Sequence, residues 1–458
     1  MEERRGVLLF RLRSAWLYHC CRKPQKNISP GGWLLETADL HREETVAAPD
    51  SFMSRRRWLV LGLIFTITVI NFIDRQTLSV LAPVLRKTYA LSNEQYGRIV
   101  SALQFGMMSG EFPMGYLMDR WGARLGLSAA VLWWSAATGA QVFARTGVQF
   151  GFLRFWMGTG EGGNYPGGIK TVTRLFGKKE RTLAIGIFNS GSMIGATVAP
   201  PLIVYLMQRY GFRTAFLVPA LFGFLWVPLW WLFYGRESRP QVDAEQAQVS
   251  LKTMLGESSV WAVMLCRFFI GPVMQFYWYW IPSYLFGVRH LSMLQIGIFG
   301  WIPFFLGDTG GVAGGWVAGL LQKRGMTIFN VRRATMYGSS LLCIMSLMVP
   351  YMTNVIAALA MIGVAIMADN FLSVNMFGAI TDLFPDHQIG RASGMTGVAG
   401  GLSGLLFPLL TGSLVDHVSY TPVFLMVAFM PLIGTIALFT VGRKYRVLNK
   451  PSQTSLAH

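Results

Sequence analysis

The stretch WLVLGLIFTITVINFIDRQTLSVLAPVL, residues 58–85, is long and apolar enough to cross a lipid bilayer as one helix. Within it, the segment NFIDRQTLS (71–79) carries Asp74 and Arg75 side by side. Each such charge at the centre of a lone helix costs about 2.5–3.5 kcal/mol on insertion scales. We therefore expect both side chains to face a partner or a water-filled cavity within a larger bundle of helices.

The composition of the whole chain agrees with a membrane protein that crosses the bilayer many times. Of its 458 residues, 53% are hydrophobic and 14% are charged, against roughly 25% charged in a soluble domain. A large soluble enzyme would need long polar stretches between its apolar segments, and the sequence has none. Because unpaired backbone groups are costly in lipid and the runs lack the alternation of barrel strands, the spans are predicted to be helical.

Twelve spans of about 20 residues can be placed along the chain, which predicts an all-α integral membrane protein. They lie near 58–83, 96–118, 125–144, 149–172, 183–206, 214–234, 260–286, 295–320, 335–352, 355–380, 392–415 and 422–441. Basic residues are concentrated in alternate loops, which places both termini in the cytoplasm. The net charge of +18 follows from this asymmetry and from a basic N-terminal extension, so no nucleic-acid partner is expected.

Segments outside the spans divide the chain into domains. Residues 1–52 are interpreted as a disordered cytoplasmic extension, or as an artefact of an upstream start, since Met53 is followed directly by basic residues. A polar linker at 235–259 separates a six-helix bundle at 53–234 from another at 260–441, and a cytoplasmic tail covers 442–458. The four cysteines show no metal-binding or disulfide spacing, and we expect neither a metal nor a cofactor.

The two bundles carry a repeat. LFGKKERTLAIGIFNSGSMIGATVAPPL (175–202) aligns with LFPDHQIGRASGMTGVAGGLSGLLFPLL (383–410), so that Phe176 and Pro200 correspond to Phe384 and Pro408. Duplication of six helices is typical of transporters whose binding site lies between the halves near mid-membrane.

A motif that begins in the last turn of the second span and continues through the short loop after it contains Gly115, Asp119, Arg120, Gly122 and Arg124. This spacing suits a tight turn with a carboxylate and guanidiniums that pair in one conformation and separate in another. It resembles the cytoplasmic loop signature of the major facilitator superfamily. We therefore interpret it as a gating loop in a fold of two six-helix pseudo-repeat bundles.

Further segments are similar to the anion:cation symporter family, especially bacterial hexuronate transporters. They are NFIDRQTLS (71–79), GEGGNYPGGIK (160–170), LFGKKERTLAIGIFNSGSMIGATVAPPL (175–202), FYWYWIPSYL (276–285) and IPFFLGDTGGVAGGW (302–316). The resemblance implies proton-coupled uptake of an organic anion by a monomer in the bacterial inner membrane, with no enzymatic activity. It also implies that Arg75 and Arg154 contact the substrate carboxylate and that Asp74 and Glu161 take the protons.

The residues themselves support this assignment and leave an alternative open. Arg75 and Arg154 fall at similar depth, where two guanidiniums suit a carboxylate. Neighbours on a helix are about 100° apart, so Asp74 and Arg75 serve different partners, whereas Arg154 and Glu161 share a face. The alternative is that these charges form interhelical ion pairs that only fix the packing, either Asp74 with Arg154 or Arg75 with Glu161.

Polar side chains at plausible depth are candidates for the hydroxyl groups of a sugar acid. Asn189 and Asn375 rank first because each is a polar group on an otherwise apolar span, and the further candidates are Asn164, Ser192 and Tyr279. We expect transport of an organic monoanion with protons, although sodium remains an alternative. An exporter exchanging a drug or metabolite, and a membrane receptor or enzyme, are the rival classes.

Overall fold

A computed structural model describes residues 51–235 and 251–442 of the chain, and every regular element within these ranges is helical. The predictions made for residues 1–50, for 236–250 of the linker and for the tail beyond 442 lie outside the described residues. The α-helices are α1 (Ser51–Tyr89), α2 (Asn93–Ala140), α3 (Gly147–Glu161), α4 (Asn164–Leu175), α5 (Lys178–Tyr210), α6 (Thr214–Phe233), α7 (Leu251–Leu255), α8 (Ser258–Gly287), α9 (Met293–Phe299), α10 (Ile302–Lys323), α11 (Ile328–Cys343), α12 (Val355–Leu383), α13 (Asp386–His417) and α14 (Thr421–Val441).

Nine helical segments in these ranges are long and apolar enough to cross a membrane, and α2 to α4 supply the other three spans. Helix α2 has 48 residues, which at about 1.5 Å per residue is far longer than a bilayer is thick. At Gly122 the backbone leaves the helical conformation, with φ 82° and ψ 165°. Because only glycine adopts this conformation readily, α2 turns there and forms two consecutive spans.

The fourth span consists of α3 and α4 in succession, with a break at Gly162 and Gly163. Pro166 has no backbone N–H and cannot donate to the carbonyl of Gly162, so the helical hydrogen-bond ladder is interrupted here. Glu161 therefore ends α3 and Asn164 begins α4. With this span the fold has twelve membrane-spanning helices within the described ranges.

The repeat predicted from the sequence is present in the helix boundaries. Helix α5 begins at Lys178 and α13 at Asp386, and α4 ends at Leu175 while α12 ends at Leu383. Both offsets are 208 positions, the spacing of the aligned segments. The described chain therefore folds as two halves of six spans each, the first formed by α1–α6 and the second by α8–α14, in which α9 and α10 together form one span. The bundle boundaries proposed from the sequence stay a prediction.

The two halves are joined at one end by hydrogen bonds between α2 and α13. The Asp416 carboxylate accepts from the backbone N–H of Glu94 at 2.7 Å and from the Asn93 side chain at 2.7 Å. Further along the same contact, Ser101 Oγ donates to the backbone oxygen of Leu405 at 2.8 Å. We call this side of the molecule the Asn93 end, and the side of the predicted gating loop the Asp119 end.

Candidate functional site

A cavity of about 380 Å³ lies between the two halves, within the usual size range of small-molecule sites. At the Asn93 end it is closed by aromatic residues, since Tyr96 and Trp280 are buried and Tyr96 Oη donates to the backbone oxygen of Tyr279 at 2.7 Å. The lining residues Glu111 and Asn189, by contrast, are exposed. The cavity is therefore accessible from the Asp119 end.

An ion pair between α1 and the end of α3 forms part of the cavity wall. Arg75 Nε donates to Glu161 Oε2 at 2.8 Å, and the two side chains are 13% and 0% exposed. The Arg75 guanidinium also lies 4.7 Å from the centre of the Phe72 ring. One of the two ion pairs that the sequence left open thus exists, and it lies at the cavity rather than in the packed interior.

Asp74 points away from the cavity, as the 100° step between neighbours requires. Its side chain is fully buried, and neither carboxylate oxygen has a hydrogen-bond partner among the described residues. Burying an unpaired polar group, and above all a charge, is costly. Asp74 is therefore a buried carboxyl group on which the charges of Arg154 and Arg75 act without a direct ion pair.

Arg154 lies behind the ion pair and does not line the cavity. It is completely buried, and its Nη1 donates to the backbone oxygen of Asp74 at 3.2 Å. Its Nε and Nη2 have no hydrogen-bond partner in the described part of the chain. The Asp74 to Arg154 carboxylate pair that the sequence left open is not formed here, and the role of Arg154 in contacting substrate stays a prediction.

Four of the five predicted polar contacts line the cavity, namely Asn164, Asn189, Ser192 and Tyr279. Asn164 Nδ2 donates to Thr68 Oγ1 at 3.3 Å, and Ser192 Oγ donates to the backbone oxygen of Asn189 at 2.7 Å. Asn189 lies on α5 of the first half and Tyr279 on α8 of the second, so the predicted contacts come from both halves.

Asn375 lies elsewhere, inside the second half. Its Oδ1 accepts from Arg332 Nη1 at 3.1 Å and its Nδ2 donates to the backbone oxygen of Phe371 at 3.0 Å. Both groups of the amide are thus engaged within the second half. The structure therefore does not bring Asn375 together with the other candidate residues.

The second half adds lining residues that the sequence did not rank as substrate contacts, chiefly Arg267 and Gln275 on α8. Arg267 is a charge in an apolar span, and that signal is visible in the sequence. Which way it faces depends on the rotation of α8 about its axis, which periodicity does not determine in a helix that is apolar on every side. Glycines 397, 400 and 401 of α13 complete this wall.

At the Asp119 end, the charged residues of the predicted gating loop contact other residues of the first half, to which the loop itself belongs. Asp119 pairs with Lys170 on α4 at 2.9 Å. Arg124 Nη2 donates to the backbone oxygen of Trp231 at 2.9 Å, and Arg120 Nη1 reaches Tyr116 Oη at 3.5 Å. Gly115 has open space around it, whereas Gly122 forms the turn. Gating by this loop stays a prediction.

Twelve spanning helices in two related halves, with a cavity between the halves that is open to one side, are the architecture of a membrane transporter. Residues 64–368, and in an overlapping match residues 326–457, fit the model of the Major Facilitator Superfamily. The chain belongs to this superfamily, and it is a transporter rather than an enzyme.

Curated relatives align with most of the chain. A hexuronate transporter of Escherichia coli strain K12 is 28% identical over 416 residues, which cover 86% of this chain and 95% of that transporter. A probable galactarate/D-glucarate transporter of the same strain is 27% identical, covering 84% and 95%. A D-galactonate transporter of E. coli O6:H1 is 26% identical, covering 86% and 97%.

A solved structure shares the fold. The occupied, inward-facing structure of a bacterial homologue of the human lysosomal transporter Spinster has a TM-score of 0.67 and 17% identity, covering 86% of this chain and 96% of that one. This similarity concerns the arrangement of helices alone.

Proposed function

We propose that the protein carries a sugar acid across the membrane together with protons. The observation that carries the proposal is the Arg75 to Glu161 ion pair in the wall of the central cavity. A guanidinium in a membrane cavity suits an anionic cargo, because its planar fork can hold a carboxylate through paired hydrogen bonds. The names of the relatives, which are transporters of hexuronate, galactarate/glucarate and galactonate, support the same class of cargo.

The remaining lining residues suit the rest of a sugar acid. Asn164, Asn189 and Ser192 supply amide and hydroxyl groups for the substrate hydroxyls. Trp278 and Phe72 supply an apolar surface for the C–H faces of the sugar, with ring centres 5.5 Å apart. A few polar groups on an aromatic background are typical of a site that orients a small ligand.

Coupling to protons follows from competition for Arg75. An incoming carboxylate takes over the guanidinium, and Glu161 then loses its partner while it remains buried. A buried charge left without its partner costs about 3–5 kcal/mol, so Glu161 binds a proton as substrate arrives. Asp74, whose buried oxygens are unpaired among the described residues, is the second proton site.

The protons also offset the electrical cost of uptake. Moving an anion toward a negative cell interior costs about 2.3 kcal/mol of electrical free energy per charge per 100 mV. One proton per negative charge cancels this term, and each further proton makes the cycle driven by the membrane potential. We place the transporter in a bacterial plasma membrane as a monomer, with both termini in the cytoplasm, so that the Asp119 end faces the cytoplasm.

Reconstituted transport tests this function. Purified protein in proteoliposomes is expected to take up labelled D-galacturonate or D-galactonate when the outside is more acidic, and to stop when a protonophore removes the gradient. Protein-free liposomes are the control. Uptake that follows an imposed sodium gradient but ignores the pH gradient would overturn proton coupling, and failure to bind any sugar acid would overturn the cargo class.

A further inference from the structure

The second half places its own arginine at the cavity. Arg267 on α8 lines the cavity together with Arg75 on α1, so each half contributes one guanidinium from its first long helix. The Arg267 guanidinium lies 5.6 Å from the centre of the Phe377 ring. Its side chain passes across Gly400 of α13, where an added Cβ would lie 3.0 Å from Arg267 Nε. The absence of a side chain at Gly400 thus makes room for the arginine.

The two arginines differ in how they are compensated. Arg75 is held by Glu161 at 2.8 Å, whereas no carboxylate among the described residues lies within 4.0 Å of the Arg267 guanidinium. Asp369 on α12 is the acid whose charge acts on Arg267, from a longer distance. Arg267 therefore keeps donors available to the cavity.

Asp369 has the features of a group that positions Arg267 from outside the cavity, since it is buried and does not line the cavity. It is 2% exposed, it does not line the cavity, and its Oδ1 has no hydrogen-bond partner among the described residues. A buried carboxylate with nearby cationic charge stabilises that charge even without direct contact, since screening is weak in a buried site. The attraction draws the Arg267 side chain toward α12 and restrains its orientation.

We propose that Arg267, positioned by Asp369, binds a second carboxylate, and that the preferred cargo is a dicarboxylic sugar acid. This inference rests on the proposed function and narrows its substrate class, in place of the monoanion expected from the sequence. A sugar acid with one carboxylate leaves the guanidinium of one half without an anion. A dicarboxylate engages both, and it bridges the two halves across the cavity.

Three ligands with one carbon skeleton test the proposal. Galactarate has two carboxylates, whereas D-galacturonate and D-galactonate have one each at opposite ends. Dissociation constants are measured by titration calorimetry on the full-length protein in detergent. We expect galactarate to bind at least about tenfold more tightly than either monoacid, since its second carboxylate adds charge-assisted hydrogen bonds to Arg267.

Variants separate recognition from a purely structural role. Arg267→Gln is expected to bring the affinity ratio of galactarate to D-galacturonate close to one, whereas general damage would weaken both ligands by the same factor and leave the ratio unchanged. Asp369→Asn is expected to lower the same ratio. The matched control is Arg289→Gln, which should keep the wild-type ratio. Arg289 lies outside the cavity and donates to Tyr284 Oη at 2.9 Å and to the backbone oxygens of Val349 and Met352.

Two results would overturn the inference and leave the proposed function in place. One is wild-type protein that binds the monoacids as tightly as galactarate, and the other is a preference for galactarate that survives Arg267→Gln. An unchanged ratio in Asp369→Asn would remove the positioning role of Asp369. If none of the three ligands binds to folded wild-type protein, the proposed function itself fails.

Discussion

Arg75 Nε and Glu161 Oε2 are 2.8 Å apart at the wall of the central cavity, and this ion pair joins α1 to the end of α3. It places a guanidinium in direct contact with a carboxylate, the two groups to which we assign substrate binding and proton binding. A substrate carboxylate cannot engage this face of Arg75 without displacing Glu161. This contact is the basis of the proposal that substrate binding and proton binding are linked within one half of the transporter.

The first prediction concerns the shape of the cation. Arg75→Lys keeps the positive charge but loses the planar fork that holds a carboxylate through two hydrogen bonds. We expect it to weaken sugar-acid binding by at least about tenfold, a loss of about 1.4 kcal/mol or more. Titration calorimetry in detergent measures it. Wild-type affinity in this variant would mean that Arg75 contributes charge alone or does not touch the substrate.

The second prediction concerns stability and uses a double-mutant cycle. Arg75→Gln leaves Glu161 buried without its partner, which costs about 3–5 kcal/mol. Adding Glu161→Gln removes the uncompensated charge and should restore much of the melting temperature. Thermal unfolding is compared for wild type, both single variants and the double variant. Additive losses would show that the two side chains are not energetically coupled.

A third prediction addresses closure at the Asn93 end. Asp416 accepts three hydrogen bonds from Asn93 and Glu94 across the two halves. Asp416→Ala removes them and should favour opening at this end. A Ser101→Cys probe, buried there at 3% exposure, should then be alkylated at least about tenfold faster, measured with Cys20 and Cys21 replaced by Ser.

The matched control for this experiment is Glu94→Gln. It alters a side chain that pairs with Arg98 on the same helix and leaves the backbone N–H that donates to Asp416. Equal alkylation rates in Asp416→Ala and Glu94→Gln would show that the Asp416 contacts do not hold the closed state.

The fourth prediction concerns the turn within α2. Gly122 has φ 82° and ψ 165°, a conformation that costs other residues about 1–3 kcal/mol. Gly122→Ala should lower the melting temperature in detergent. Gly115→Ala is the control from the same loop, because an added Cβ there meets no atom within 4 Å. Equal melting temperatures for the two variants would contradict the role assigned to Gly122.

Much of this architecture could be predicted from the sequence because membrane spans are long and apolar and because the repeat relates the halves. The helix break after Glu161 could be predicted from Pro166, which lacks a backbone N–H. The partner of Arg75 could also be predicted, since a charge inside a span needs a partner. The orientations of Arg154, Asn375 and Arg267 could not be predicted from the sequence. One residue changes direction by about 100°, and where a helix is apolar all round, only packing determines which side faces the cavity.

The central claim, that Glu161 couples substrate to protons, is tested most directly with Glu161→Gln in proteoliposomes. Glutamine imitates the protonated side chain, so the variant should still exchange labelled for unlabelled sugar acid across the membrane. It should no longer accumulate substrate when a pH gradient and a membrane potential are imposed, whereas wild type does. If Glu161→Gln concentrates substrate as wild type does, Glu161 is not the coupling site and the account of the ion pair is wrong.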